Sequence, residues 1–240
     1  MVRSLIIITL IFHFTATNGQ LAEKVYYGGI VYKNSGIGFV YQSKLNSSHN
    51  FDKQFDLEFT NFKHSQETKT FNTEVNAPTP YVFGKLNKVA LLKSNFSATH
   101  SISQFTDAQR IGIDLIAGGG ITLAFLKPVY VNIIYPDPYG YEAIVSERYN
   151  PERHTNRSRI AGYTDGRVGL DEVNIKPGLS LSAGMGFTWG YFTNYPKRLE
   201  TGFYLEYFKN GLPVMAFVKN KTLQNGLYIK LFMGKRSFKN

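Results

Sequence analysis

The sequence has no cysteine, a single tryptophan and only five histidines in 240 residues. Without cysteine there is no disulfide framework, so a packed core must hold the fold. A chain of this length can bury such a core as one domain. Lipid attachment at a mature N-terminal cysteine is excluded on the same ground. Beyond the N-terminal stretch there is no run of about 18 apolar residues, so no helix can cross a bilayer. No Gly-x-Ser-x-Gly, His-Glu-x-x-His or Gly-x-x-x-x-Gly-Lys-Ser/Thr signature occurs. His, Asp and Glu are not clustered at ligand spacing, and no metal or cofactor is expected. The net charge is +10, yet no Lys/Arg run exceeds two residues. That scatter points away from nucleic acid and toward an anionic membrane surface.

What the chain does have is strict alternation. Leu179, Leu181, Ala183, Met185, Phe187, Trp189 and Tyr191 alternate with Gly, Ser and Thr. A second run places Ile111, Ile113, Leu115, Ala117, Gly119, Ile121, Leu123 and Phe125 against Gly112, Asp114, Ile116, Gly118, Gly120, Thr122 and Ala124. Period two marks a strand with two unlike faces. Soluble strands usually stop near five or six residues, whereas a tilted membrane strand needs roughly 9–11. The triple glycine 118–120 lies inside such a strand with no helix after it, which excludes a phosphate loop.

The N-terminus has a basic start at Arg3, an apolar core over residues 5–12 and small residues up to Gly19. This is the pattern of a secretory signal peptide cleaved after Gly19, leaving 20–240 as the mature chain. Eight strands are expected, at 24–33, 37–46, 53–62, 88–103, 110–126, 174–191, 198–208 and 223–234. The even connections, 47–52, 104–109 and 192–197, are short, whereas 63–87, 127–173 and 209–222 are long and only the tight turn at Asn34, Ser35 and Gly36 breaks the trend. Bacterial barrels have an even strand count, short periplasmic turns and long outer loops. The expected fold class is therefore an all-β, eight-stranded antiparallel up-and-down transmembrane β-barrel. Segment 127–173 carries Pro128, Pro136, Pro138 and Pro151 and is nearly neutral in charge. A short helix is predicted at 141–148, within a lid or docking surface.

The polar faces carry Lys44, Glu58, Lys93, Asp114, Arg198, Glu200, Glu206 and Lys230. Facing lipid, such charges would cost about 2–4 kcal/mol each near the midplane, so they are expected inside and paired. Eight strands enclose a space about filled by side chains, and inward glycines leave room for the large ones. The doublets Tyr26 with Tyr27 and Ile30 with Val31 leave the faces of the first strand unassigned. A soluble ligand-binding barrel is the rival, and it would reverse the faces, with apolar residues inside.

Gln224, Gly226, Ile229 and Leu231 fill the four places of a pattern similar to the insertion signal of outer-membrane proteins. The chain runs on past it to Asn240, with Phe238 as the stand-in for a terminal aromatic. Further pieces are Lys63, His64 and Glu67; Gly84, Lys85, Leu86 and Asn87; Leu126, Lys127, Pro128 and Tyr130; and Gly234, Lys235 and Arg236. With these the chain resembles small exported Gram-negative outer-membrane β-barrels of the eight-stranded OmpA/PorT-like kind, a set with no assigned activity. The resemblance implies an outer-membrane location and handling by the barrel-assembly machinery during insertion, and it supplies no catalytic residue.

The expected role is non-enzymatic: a structural or accessory subunit of an outer-membrane assembly, secretion or surface complex, with protein partners met through the outer loops. Lys63, Lys85, Lys88 and Lys127 would lie at the outer rim, where lipopolysaccharide phosphates sit. Two other classes remain open at this point. A lipid A or phospholipid-modifying barrel enzyme would draw on His64 with Ser65, or His154 with Ser158. A narrow channel or transporter would need an open lumen.

Overall fold

A computed structural model describes residues 24–47, 51–75, 79–103, 111–136, 142–190 and 193–237. The expected signal peptide, the turn 104–109, His49, Tyr191 and Phe238 lie outside the described residues. Eight long strands build the main body: β1 (Lys24–Lys33), β2 (Gly36–Ser47), β3 (Phe51–Phe62), β6 (Asn87–Ser103), β7 (Gly112–Pro128), β11 (Asn174–Trp189), β12 (Lys197–Tyr207) and β13 (Leu223–Ser237). Five short ones, β4 (Lys69–Thr70), β5 (Tyr81–Val82), β8 (Tyr130–Pro136), β9 (Glu142–Arg148) and β10 (Ile160–Tyr163), lie in the long connections.

The long strands close into a barrel in the order β1-β13-β12-β11-β7-β6-β3-β2, every neighbour antiparallel. Closure runs from Lys24 opposite Ser237 to Lys33 opposite Tyr228. A closed sheet has no unpaired edge, the condition for strands in lipid. Alternation sets the lengths: β7 and β11 stay in register from Leu126 opposite Asn174 to Gly112 opposite Thr188.

The barrel is inside out relative to a soluble one. Phe39 is 71% exposed and Phe203 70%, while Gln42 and Glu206 are 0% exposed. Ile121, Leu181, Leu227 and Met233 join the outer wall. Glu58, Lys93, Arg198, Glu200 and Lys230 point inward. The soluble-barrel rival needs the opposite arrangement and fails on this observation. The first strand is also settled, with Val25, Tyr27, Val31 and Lys33 turned inward and Ile30 and Tyr32 outward.

Inward glycines make the room that the sequence reading asked of them. A Cβ on Gly184 would stand 2.7 Å from the Tyr228 hydroxyl and 2.3 Å from the Thr201 carbonyl oxygen. On Gly29 it would meet the Phe232 ring at 2.9 Å. Gly226 of the insertion-like pattern has a local reason as well: the side chain of Asn34, in the β1–β2 turn, occupies the place of its Cβ. Tyr204 holds that turn, its hydroxyl donating to Asn34 Oδ1 at 2.7 Å and lying 2.9 Å from Ser35 Oγ.

The long connections gather at one end and are built. β8 follows β7 after a single residue, Val129, and carries a sheet of order β10-β8-β9. The short helix predicted at 141–148 does not form. Glu142–Arg148 is strand β9, paired with β8 from Tyr130 opposite Arg148 to Pro136 opposite Glu142. The β-branched Ile144 and Val145, with a partner strand in reach, outweigh the local helix preference of Glu and Ala. Among the described residues the helical segment is one 3-10 turn, Arg157–Arg159.

Candidate functional site

Two regions concentrate chemistry: the lumen and the cap formed by the long connections. In the lumen, β1, β3, β6, β12 and β13 converge their inward charges. Lys33 pairs with Glu58 and with Glu206 at 3.1 Å, and Lys93 reaches Glu206 at 2.6 Å and Glu58 at 3.7 Å. Lys230 lies 3.5 Å from Asp56 and 3.6 Å from Glu58. Toward the short-turn end, Arg198 bonds Asp114 at 2.6 Å and Glu200 at 2.7 Å, and Gln42 donates to Glu200 at 3.0 Å. Lys44 pairs with Asp52 at 2.7 Å, half-buried. All eight charged residues assigned to the inner face are thus engaged in ion pairs. The sequence reading missed Lys33, because its strand had no readable face, and left Asp56 out of the set although Asp56, Glu58 and Thr60 share a face.

This network fills the barrel. A hollow of about 10 Å3 remains among Lys33, Glu58, Lys93, Tyr204 and Lys230, room for about one water. Nearer the loop end Phe62, Leu91, Leu126 and Phe208 pack with Leu212, Val214 and Met215 from the 209–222 connection. The lumen is therefore polar in its middle and stoppered with apolar side chains at its long-loop end.

The cap is a second small core, Tyr81, Val129, Val131, Ile133, Tyr149 and Ile160, beneath the β10-β8-β9 sheet. Tyr163 bridges it to β5, accepting from the Val82 amide at 2.9 Å. Burial pushes the Tyr163 phenol up to about 12. The Tyr135 hydroxyl donates to Glu147 at 2.9 Å and, as the leading cause, holds that carboxyl below its ordinary value.

The four rim lysines separate. Lys63 and Lys88 are exposed, and Lys88 lies 4.8 Å from the centre of the Tyr163 ring. Lys127, opposite Lys88 across β6 and β7, is half-buried and donates to the Gly166 carbonyl. Lys85 is buried in the cap and ion-paired with Glu67.

The histidine–serine pairs are not brought together as catalytic couples. His154 is buried; its Nδ1 accepts from the Asn150 amide at 3.0 Å and its Nε2 lies 3.4 Å from Glu147. Both ring nitrogens are occupied, and the Ser158 hydroxyl donates to Asn156 at 2.8 Å. His64 Nδ1 accepts from the Gln66 amide at 3.2 Å within its own turn. Among the described residues no group of three His, Asp or Glu could hold a metal.

No protein-family model matches the chain, and no curated protein matches it. Solved structures similar in outline include the following three. Neisserial surface protein A is 12% identical with a TM-score of 0.36, covering 91% of this chain and 97% of that one. Ail, the attachment invasion locus protein of Yersinia pestis, is 12% identical with a TM-score of 0.38, covering 91% and 100%. Ail in complex with the heparin analogue sucrose octasulfate is 10% identical with a TM-score of 0.36, covering 90% and 97%. At those levels the likeness says nothing about the role of this chain.

Proposed function

We propose that the chain is an outer-membrane β-barrel that works without catalysis, as a structural or accessory subunit of an outer-membrane assembly, secretion or surface complex. Its contacts are made by the outer loops, led by 127–173. The observation that carries this reading is a filled, stoppered lumen beneath a cap with its own packed sheet. Order is invested where a partner would be met and not in a pore. The exposed apolar wall supports membrane residence, since water would penalise so large a contiguous patch. Exposed Lys63 and Lys88, with Lys127 beside them, contact lipopolysaccharide phosphates in this reading, and Lys85 supports them from within the cap.

The test replaces residues 130–170 with a short Gly-Ser linker. The shortened chain should still show heat-modifiable gel mobility, the mark of a closed barrel. On native gels in mild detergent it should drop from a larger assembly to the size of a single barrel. A wild-type chain that already runs as a lone barrel, or a shortened one that stays in the assembly, overturns the proposal.

A further inference from the structure

The apolar wall is dented on one side. Two hollows of about 490 and 460 Å3 on the outward surface of β7, β11 and β12 share Leu181 and Leu205 and so form one groove. Its floor is made by small residues. The register sets Ala117, Ala183 and Phe203 in one row, then Gly119, Leu181 and Leu205, then Ile121, Leu179, Tyr207 and Leu223 nearest the loops. A methyl on Gly119 would stand 2.8 Å from Leu181 Cδ2, so the hollow depends on the missing side chain.

The groove's length has a meaning. From Phe203 to Tyr207 is about 14 Å along a strand and, at a tilt of about 40°, about 10 Å in depth. One leaflet of a barrel's apolar band, about 25 Å tall in all, is about 12 Å. The groove thus spans a single leaflet, on the side of the long loops. Its mouth is basic. The Phe208 amide donates to the Thr222 carbonyl at 2.8 Å, carrying the β12–β13 register onward. Lys209, in the turn that follows Phe208, and Lys221, just before Thr222, flank that bond, and both are exposed. Residues 208–223 contain three lysines and no carboxylate.

We propose that this groove seats one acyl chain of lipid A, with a phosphate of the same molecule held by Lys209 and Lys221. The assignment rests on the membrane reading above: in that orientation the long-loop side faces the outer leaflet, where lipid A is the phosphate-bearing lipid. Small residues below and two cations above match a hydrocarbon chain ending in an anionic headgroup.

The experiment is native mass spectrometry of the full chain in detergent with added lipid A or phosphatidylglycerol. Wild type should retain one lipid A and little phosphatidylglycerol. Ala183→Leu fills the groove, and the double variant Lys209→Ala with Lys221→Ala discharges its mouth; each should cut retention about tenfold. Gly28→Leu, on β1 at the opposite wall, should leave it unchanged. Unaltered retention in Ala183→Leu, or equal retention of phosphatidylglycerol, overturns the assignment. Spin labels at Ile113 and Leu123 separate the two ideas. Labels open to aqueous reagents would sink the membrane reading itself, whereas dry labels with unaltered retention would remove the groove alone.

Discussion

Arg198 shows what a single lumen residue carries. It is 1% exposed, and its guanidinium serves Asp114, Glu200 and Thr188 together. Arg198→Met would leave two carboxylates buried without their cation, and breaking a buried pair from one side costs about 3–5 kcal/mol. Urea titration of the refolded barrel in lipid vesicles should show that loss. The double variant Arg198→Met with Glu200→Leu should recover part of it, since one stranded charge is then gone. Gly184→Val tests the same interior from the side of volume. Its side chain would collide with the Tyr228 hydroxyl and the Thr201 carbonyl, so about 1–3 kcal/mol should be lost through overpacking alone. Arg198 was legible in the sequence because alternation with Leu199 and Phe203 fixes its face. Lys33 was not, because the doublets Tyr26-Tyr27, Gly28-Gly29 and Ile30-Val31 suit either face, and only pairing with β13 and β2 decides between them.

At the scale of elements, the strands of the barrel could be read and the strands of the cap could not. In the barrel strands other than β1, period two runs for ten residues or more and the two faces differ in polarity, so each announces itself. In the cap, Tyr130–Pro136 alternates Val131 and Ile133 with Asn132, but Pro128 and Pro136 bound it closely and one of its partners is distant: Ile160 pairs with Ile133, and Asn72 donates to the Ile160 carbonyl at 3.0 Å. Nothing local signals such pairing. Tyr163 makes the cap titratable. Its phenol is raised from 10.0 to about 12 by burial, so the folded cap prefers the neutral form. The stability this contributes is fully present below pH 10 and is lost as pH rises through 12. Amide protection factors of β5, β8 and β10, with the base catalysis of exchange itself divided out, should therefore fall across that window while the barrel strands stay protected. Tyr163→Phe, which cannot ionise, should flatten the pH response, although it starts from a weaker cap for want of the acceptor facing the Val82 amide. A profile identical to wild type would show that another group governs the loosening.

For the molecule as a whole, the decisive quantity is the space left inside. An eight-stranded barrel is only just wide enough to be filled by its own side chains. Here the filling is charged in the middle, where a hollow of about 10 Å3 lies among Lys33, Glu58, Lys93 and Lys230. An ion crossing it would have to break the pairs of Lys33, Lys93 and Lys230 with Glu58 and Glu206 and then pass Leu212, Val214 and Met215 at the long-loop end. The two barriers lie in series, so removing one should not open a path. Planar-bilayer recordings of the wild type should show no stepwise current. Truncating Leu212, Val214 and Met215 to alanine should unseat the stopper yet remain silent, because the ion network below it is intact. Stepwise currents from either protein would mean that the network opens in the membrane, and the narrow-channel reading would then displace a purely structural role.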